Sequence, residues 1–395
     1  MTETPTTLKA IATSFVKVGA TAYGGPAIMG IMQAEFQEKR RWISKPQFLE
    51  GLSLVNMLPG ATAVQLGIFL GYQRAGWWGG LLAGLGFVVP AFVVMLALAM
   101  AYAALGVSPL LRGALYGLGP VVLGVFVVAV YRLGRSAVRS APHVLIAVGA
   151  TVAAAATPIG TATVLVLAGA LGVLLFHSKR MGVIVLAACV GGLAVVHAIA
   201  WSPAFFSLAP RGTPRLTDLA ILFSVIGAFT FGGGLTMLAF LQDQVVNQLH
   251  WLTPQEFIDG LALGQLTPGP VLMLAAYVGY KTLGIAGAVV GAVSIFLPSF
   301  VLMLSVLPVF DRVRALAWAR AAMQGIAPAV IGVLSVALTG IAPHAVPDPF
   351  AAAVMLATVI ALLFWRLGPL KLVAAGAAVG VLRSRLWPLP IPQLR

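Results

Sequence analysis

Two proline-glycine pairs in apolar segments are the residues of this chain that point most clearly to chemistry. Pro59-Gly60 and Pro268-Gly269 each interrupt a stretch that otherwise reads as a continuous hydrophobic helix. Proline lacks a backbone N–H and clashes with the preceding turn, and glycine leaves nearby peptide groups exposed. Lipid cannot satisfy such groups, so they are tolerated only where protein or a water-filled cavity surrounds them. The breaks therefore predict a polar site at membrane depth, with a simple proline kink as the alternative.

Two double-glycine motifs could complete such a site. YGGP (23–26) and FGGG (231–234) interrupt the first apolar segment of each half of the chain. Backbone N–H groups in such turns can line a small anion, and a helix starting after each break adds about half a positive charge there. These features favour a cage for a small oxyanion. Alternatively, the glycines only let helices pack closely.

Basic and amide side chains near the breaks could add further donors. Arg74 can make a forked contact with two oxygens and Lys281 can supply a point charge, although both could instead snorkel at a helix end. Lys17 lies inside the first apolar segment, where an ionisable residue is a functional candidate. The predicted substrate-binding residues are Gly24, Gly25, Asn56, Pro59, Gly60, Gln65, Arg74, Gly232, Gly233, Gln265, Pro268, Gly269, Pro270, Lys281 and Lys17.

Four acidic residues are candidates for proton coupling. They form two pairs at matching positions of the two halves, Glu35 with Asp243 and Glu50 with Asp259. Intramembrane carboxylates in carriers can bind and release protons during transport. Alternatively, these residues stabilise helix starts through the helix dipole, and the sequence leaves both interpretations open.

Composition identifies the class of protein. Hydrophobic residues make up 60% of the chain and charged residues 9%, and the mean hydropathy is +1.02. Successive uncharged runs are each long enough for a span of about 20 residues. We therefore predict an all-α polytopic membrane protein with about ten to thirteen crossings, surrounded by membrane lipids. The net charge of +14 comes from Lys and Arg in short loops, as the positive-inside rule predicts, so no nucleic-acid partner is expected.

Metal, disulfide and enzyme chemistry find little support in the sequence. The single cysteine, Cys189, cannot form an internal disulfide, and the five histidines have no partner at ligand spacing. No nucleophile–base pair is evident either. We expect no metal, no cofactor and no enzymatic activity.

The chain repeats itself. FVKVGATAYGGP (15–26) matches FSVIGAFTFGGG (223–234) at an offset of 208 residues, and EGLSLVNMLPGA (50–61) matches DGLALGQLTPGP (259–270) one residue further along. We assign a first half (1–200), a linker (201–216) and a second half (217–395). The match of LLF (174–176) with LLF (362–364) predicts roughly 20 extra residues in the first half. Each half then contains either a broken span or a re-entrant helix pair around its Pro-Gly break.

Loop charges indicate that the halves run in opposite senses. The loop after the first apolar segment carries Lys39, Arg40, Arg41 and Lys45, whereas the matching loop (242–256) has no Lys or Arg. The positive-inside rule puts the first loop in the cytoplasm and the second outside. We therefore predict an inverted repeat.

The paired motifs resemble the chromate ion transporter (CHR) family in its long, two-domain form. The resemblance rests on FVKVGATAYGGPAIMG, EGLSLVNMLPGATAVQLGIFLGYQRAGWWGG and their second-half counterparts FTFGGG and DGLALGQLTPGPV, and it covers nearly the whole chain. It implies efflux of chromate across the cytoplasmic membrane and chromate resistance, and some members are linked to sulfate. The halves differ at Pro26, which aligns with Gly234, and at Ala61, which aligns with Pro270, so they need not contribute equally.

The residue patterns predict a secondary transporter of a small oxyanion, and the resemblance implies that it exports chromate. A transporter of sulfate or another oxyanion is the main alternative, because sulfate and chromate are similar tetrahedral dianions. A passive anion channel could use the same cage. We consider a homodimer among the oligomeric states.

Overall fold

The computed structural model describes residues 7–23, 27–105, 108–157, 159–199, 214–231, 234, 236–309, 316–365 and 367–386. Regular structure in these residues is helical throughout. The first half contains α1 (Leu8–Thr21), α2 (Ala27–Met32), α3 (Lys45–Met57), α4 (Thr62–Leu105), α5 (Pro109–Ala137), α6 (Ala141–Ala156), α7 (Thr161–Phe176) and α8 (Lys179–Ile199). The second contains α9 (Leu216–Ala228), α10 (Thr236–Leu241), α11 (Pro254–Leu266), α12 (Leu274–Val306), α13 (Ala317–Ala345), α14 (Pro349–Leu363) and α15 (Pro369–Leu386).

Short irregular turns extend several of these helices. The π-helical turns Gln33–Lys39 and Gln242–Gln248 follow α2 and α10, and the 3₁₀ turn Val271–Met273 precedes α12. Among the described residues, Thr62–Ala104, Pro109–Ala137, Val271–Val309 and Ala317–Ala345 are long and apolar enough to cross a membrane. Further apolar helices are shorter.

Local sequence explains where α3 and α11 begin. Ser44 accepts a hydrogen bond from the N–H of Gln47, whose side chain accepts one from the N–H of Ser44. Thr253 and Glu256 form the same reciprocal capping box before α11. A proline follows each cap within the first turn, where its missing N–H costs nothing. The two halves therefore start these helices by the same device.

From α5 onwards, equivalent residues of the two halves remain about 208 positions apart in the chain. Gly117 of α5 packs against the backbones of Gly376 and Gly380, and Gly325 of α13 packs against Ala168 and Gly172. Every residue of the first contact lies 208 positions from a residue of the second, so α6 corresponds to α14 and α7 to α15. The prediction of roughly 20 extra residues before residue 174 is wrong. The additional element of the first half is α8, and LLF recurs by chance in a leucine-rich sequence.

The long helices α4 and α12 are each folded back on themselves. Ala75 and Gly76 depart from helical geometry, and the backbones of Gly71 and Gly79 then pack against each other. Eight residues of straight helix would separate those two glycines by about 12 Å, so the chain must reverse. The same reversal occurs in α12 at Leu283 and Gly284. We call the segments α4a (62–74), α4b (77–105), α12a (274–282) and α12b (285–306).

Each Pro-Gly break lies at the tip of a helix hairpin. Gly51 of α3 packs against the ring of Phe69 in α4a, and Gly260 of α11 packs against the ring of Tyr277 in α12a. The helices on either side of a break therefore lie side by side and do not continue in line. We call residues 58–61 the first tip and residues 267–270 the second tip.

The segments α4b and α12b run antiparallel where they pack. Gly84 lies against the ring of Phe300, whereas Gly80, earlier in α4b, lies against Leu304, later in α12b. The first hairpin joins α4b at its start, near Gly76. The second hairpin reaches the other end of α4b, where the hydroxyl of Tyr102 contacts Asp259 of α11. The hairpins therefore approach the middle of this helix pair from opposite ends.

Candidate functional site

The two tips are bound to opposite halves by matching hydrogen bonds. The N–H of Gly60 donates to the carbonyl oxygen of Thr230 (2.7 Å), just beyond α9, and the N–H of Gly269 donates to that of Ala22 (2.7 Å), just beyond α1. Both glycines have positive φ, 124° for Gly60 and 91° for Gly269, which other L-residues rarely adopt. The breaks predicted from sequence thus meet the ends of the first helices of the opposite halves.

Polar groups surround the first tip. The Oγ of Ser299 in α12b accepts the N–H of Ala61 (2.8 Å). Gln65, one turn into α4a, is fully buried, and its Nε2 donates to the carbonyl oxygen of Pro59 (2.6 Å). Gln65 was predicted from the sequence, but Ser299 was missed. Its only sequence signal is the neighbouring Pro298, which matches Pro90 in the repeat.

Apolar groups surround the second tip. Ala91 occupies the position that corresponds to Ser299 and packs against Gly269. The buried Met273 and Leu274, where the 3₁₀ turn meets α12, lie at the positions that correspond to Gln65 and its neighbour. Pro268 and Pro270 are also buried. The two tips therefore share a backbone geometry but differ in polarity.

Of the remaining glycine and amide candidates, only the two amides lie within the described residues. Gly24, Gly25, Gly232 and Gly233 lie outside the described residues. Asn56 is exposed, and its Nδ2 donates to the carbonyl oxygen of Leu52 in its own helix (2.8 Å). Gln265 is half-buried, shortly before the second tip.

The predicted basic residues lie away from the tips. Arg74, at the base of the first hairpin, donates to the carbonyl oxygen of Trp42 (3.4 Å). Lys281, at the base of the second hairpin, forms an ion pair with Glu256 (2.8 Å). Nine residues of helix separate Gln65 from Arg74, about 14 Å at 1.5 Å per residue. Lys17 is on the exposed face of α1.

One of the predicted acidic residues is deeply buried. Asp259, 5% exposed, accepts hydrogen bonds from the hydroxyl of Tyr102 (2.8 Å) and from Nε2 of Gln255 (3.1 Å). The ammonium group of Lys281 lies over the ring of Tyr102 (5.6 Å). This cluster joins α4b of the first half to the hairpin of the second. Tyr102 was missed because it lies 157 residues from its partner.

The other acidic candidates are less buried. Glu50, which corresponds to Asp259, is half-buried in α3. Asp243 accepts hydrogen bonds from the side chains of Gln244 and Gln248. Glu35 forms ion pairs with Arg40 (2.7 Å) and Lys39 (3.5 Å), and the hydrogen bond from Arg40 lowers the pKa of Glu35. A lowered pKa counts against Glu35 as a carrier of protons near neutral pH.

Comparison with known proteins covers both halves of the chain. The sequence model of the chromate transporter family matches residues 9–191 and 217–381. A chromate transport protein of Cupriavidus metallidurans is 32% identical over 95% of this chain and 93% of its own length. A probable chromate transport protein of Synechococcus elongatus is 32% identical over 77% of each chain, and an uncharacterized transporter of Methanocaldococcus jannaschii is 25% identical over 76% of each.

No solved structure matches the chain. The sequence matches span both halves, and the family consists of membrane transport proteins, in agreement with the apolar helices described above. The chain is therefore a membrane protein and belongs to the chromate transporter family.

Proposed function

We propose that this protein is a secondary transporter that exports chromate across the cytoplasmic membrane and so confers chromate resistance. The observation that carries the proposal is the pair of matching hydrogen bonds from Gly60 and Gly269 to the opposite halves. Paired helix breaks at corresponding positions of two repeats are characteristic of the substrate sites of secondary transporters. The oxyanion then binds between the two tips.

The two halves, residues 1–200 and 217–395 joined by a linker at 201–216, form an inverted repeat in this proposal. The antiparallel packing of α4b and α12b supports it, as does the opposite charge of the loops after α2 and α10. The helices α3 and α11 have 13 residues each. That is about 20 Å, too short to cross a hydrocarbon core of about 30 Å. The hairpins therefore re-enter the membrane and carry their tips to its interior.

Helix starts near the tips supply the donors for the anion. The N–H groups of Gly60, Ala61 and Gly269 already donate to protein acceptors. The first turn of α4 begins directly after the first tip, and the first N–H groups of a helix have no partner within it. The turn before α12 presents the same groups after the second tip. The partial positive charge of these helix ends favours an anion between them.

The buried carboxylate is our candidate for coupling transport to protons. Asp259 links the second hairpin to α4b through Tyr102, so a change in its charge bears on a contact between the two halves. A carboxylate that is buried away from water is strongly disfavoured in its charged form unless its partners compensate. Asp259 in the second half and Glu50 in the first would bind and release a proton during the cycle.

The direct test is flux of labelled chromate and sulfate in proteoliposomes under imposed pH and voltage gradients. We expect saturable chromate flux that a pH gradient drives, with Asp259→Asn or Glu50→Gln flattening the dependence on pH. Sulfate transported faster than chromate would make the protein a sulfate transporter. Flux that does not saturate and follows voltage alone would make it a channel. If both variants keep the wild-type pH profile, the carboxylates are structural.

A further inference from the structure

Within the described part of the chain, the side-chain amide of Gln65 has an acceptor without a donor. Its Nε2 donates to the carbonyl oxygen of Pro59 (2.6 Å), which fixes the orientation of the amide because two oxygens would repel each other. Its Oε1 is buried and has no hydrogen-bond partner among the residues that the structure describes. The amide lies against the first tip, since a Cβ added at Gly60 would be 2.5 Å from its Nε2. A buried acceptor left unpaired is energetically costly, so this oxygen is poised to receive a donor.

A fully ionised oxyanion cannot be that donor. Chromate and sulfate dianions have four acceptor oxygens and no O–H group. Placed beside Oε1 of Gln65, a dianion would oppose one oxygen to another. The ligand that satisfies Gln65 must carry a proton or be a cation.

Charged side chains are also distant from the first tip. The nearest charged residues along the elements that form it are Glu50 in α3, Arg74 in α4, Asp218 in α9 and Lys281 in α12. Helix α1 packs against α4a through Phe15 and Gly67, and its Lys17 is exposed. Arg74 is about 14 Å from Gln65 along the helix, and about 21 Å of α12b separates Ser299 from the reversal beyond which Lys281 lies. The neighbouring residues outside the described ranges, 24–26, 232–233 and 235, are uncharged in the sequence. A dianion would lose its hydration here without gaining a counter-ion, which is far more costly than for a monoanion.

We infer that the first tip binds the oxyanion as a singly protonated monoanion, whose O–H donates to Oε1 of Gln65. This inference rests on the proposed function and names the species that is transported. The remaining oxygens accept from the helix N–H groups that face the tip. The proton then crosses with the substrate.

Binding of a singly protonated anion would let the site distinguish chromate from sulfate. The two dianions have similar shapes, but chromate is a much stronger base. Near neutral pH a substantial share of chromate carries one proton, whereas sulfate carries almost none. A site that requires one O–H therefore selects chromate by basicity, although the two anions fit equally well by shape.

The test compares chromate with sulfate, because sulfate stays a dianion throughout and reports any titration of the protein itself. Protection against thermal unfolding gives the dissociation constant of each anion for the purified full-length protein between pH 6.5 and 8.5. Above the pKa of hydrogen chromate, we expect the chromate dissociation constant to rise about tenfold per pH unit, with no parallel change for sulfate. A chromate-to-sulfate affinity ratio that does not change with pH overturns the inference. Absence of chromate protection at every pH would instead contradict the proposed function.

A variant locates the effect at Gln65. Gln65→Met keeps the side chain's length but removes the acceptor, and we expect at least about tenfold weaker chromate binding at pH 6.5, with a smaller pH dependence. Gln324→Met, at an exposed position of α13, is the matched control. Wild-type affinity and pH dependence in Gln65→Met would overturn the assignment. So would a requirement for sodium without a change in the anion ratio, because Oε1 would then be a cation ligand. If Gln65→Met does not fold, the pH dependence of the wild-type chromate-to-sulfate affinity ratio still tests whether the bound anion carries a proton.

Discussion

At the scale of single residues, Ser299 supports the first tip from the other half of the chain. Its Oγ accepts the N–H of Ala61 at 2.8 Å, and the side chain is fully buried. Ser299→Ala leaves that N–H without a partner, and we expect a loss of about 1–3 kcal/mol in the free energy of unfolding. Thermal unfolding in detergent measures it. The control is Ser305→Ala, at an exposed position of the same helix, and equal stability of the two variants would contradict the assigned role.

The sequence predicted residues whose role depends on backbone geometry and missed those that act across the halves. Gly60 and Gly269 were identified because proline and glycine are conspicuous in an apolar run. Ser299 and Tyr102 could not be found in this way, because their partners lie 238 and 157 residues away in the chain. A serine in a helix carries no sign of the distant N–H that it accepts.

At the scale of elements, glycines hold α5 and α13 close to their partners. A Cβ at Gly117 or Gly325 would overlap the backbone of the facing helix, so Gly→Ala at either site should destabilise the protein by about 1–3 kcal/mol. Gly191 in α8 has open space around it, and Gly191→Ala should stabilise its helix by up to about 1 kcal/mol. Thermal unfolding of the three variants shows whether each change raises or lowers the stability of the protein. Stabilisation by Gly117→Ala or Gly325→Ala would contradict the packing.

The reversal within each long helix and the position of the extra helix were the parts of the fold that the sequence did not predict. The reversal of α4 at Gly76 was not predicted, because Gly76 is one glycine among many in this segment. The repeat was recognised through its polar and proline motifs. Beyond them the sequence is nearly uniform in Ala, Leu, Val and Gly, and a chance LLF match misplaced the extra element.

At the scale of the whole molecule, the inverted repeat predicts opposite exposure of two equivalent caps. Ser44 and Thr253 begin α3 and α11, and both are exposed. With Cys189 replaced by serine, we expect Ser44→Cys to react with a membrane-impermeant thiol reagent only from the cytoplasmic side and Thr253→Cys only from outside. Labelling of both cysteines from the same side would show that the halves run in parallel.

The central claim is that chromate binds between the two tips. Gly60→Leu and Gly269→Leu place a side chain at a residue with positive φ, where even a Cβ lies 2.5 Å from Oγ of Ser299 or 2.8 Å from Cβ of Ala91. Gly149→Leu, in open space on α6, is the matched control, and Gly60→Ala is a milder form of the first change.

The measurement that tests this claim most directly is chromate protection of these purified variants against thermal unfolding. At 100 times the dissociation constant, a ligand adds about 2.7 kcal/mol to the stability of the protein that binds it. We predict that the wild type and Gly149→Leu gain this protection, that Gly60→Leu and Gly269→Leu lose it, and that all insert into membranes. If both tip variants keep wild-type protection, chromate binds elsewhere, and Lys17, Arg74 and Lys281 become the candidates.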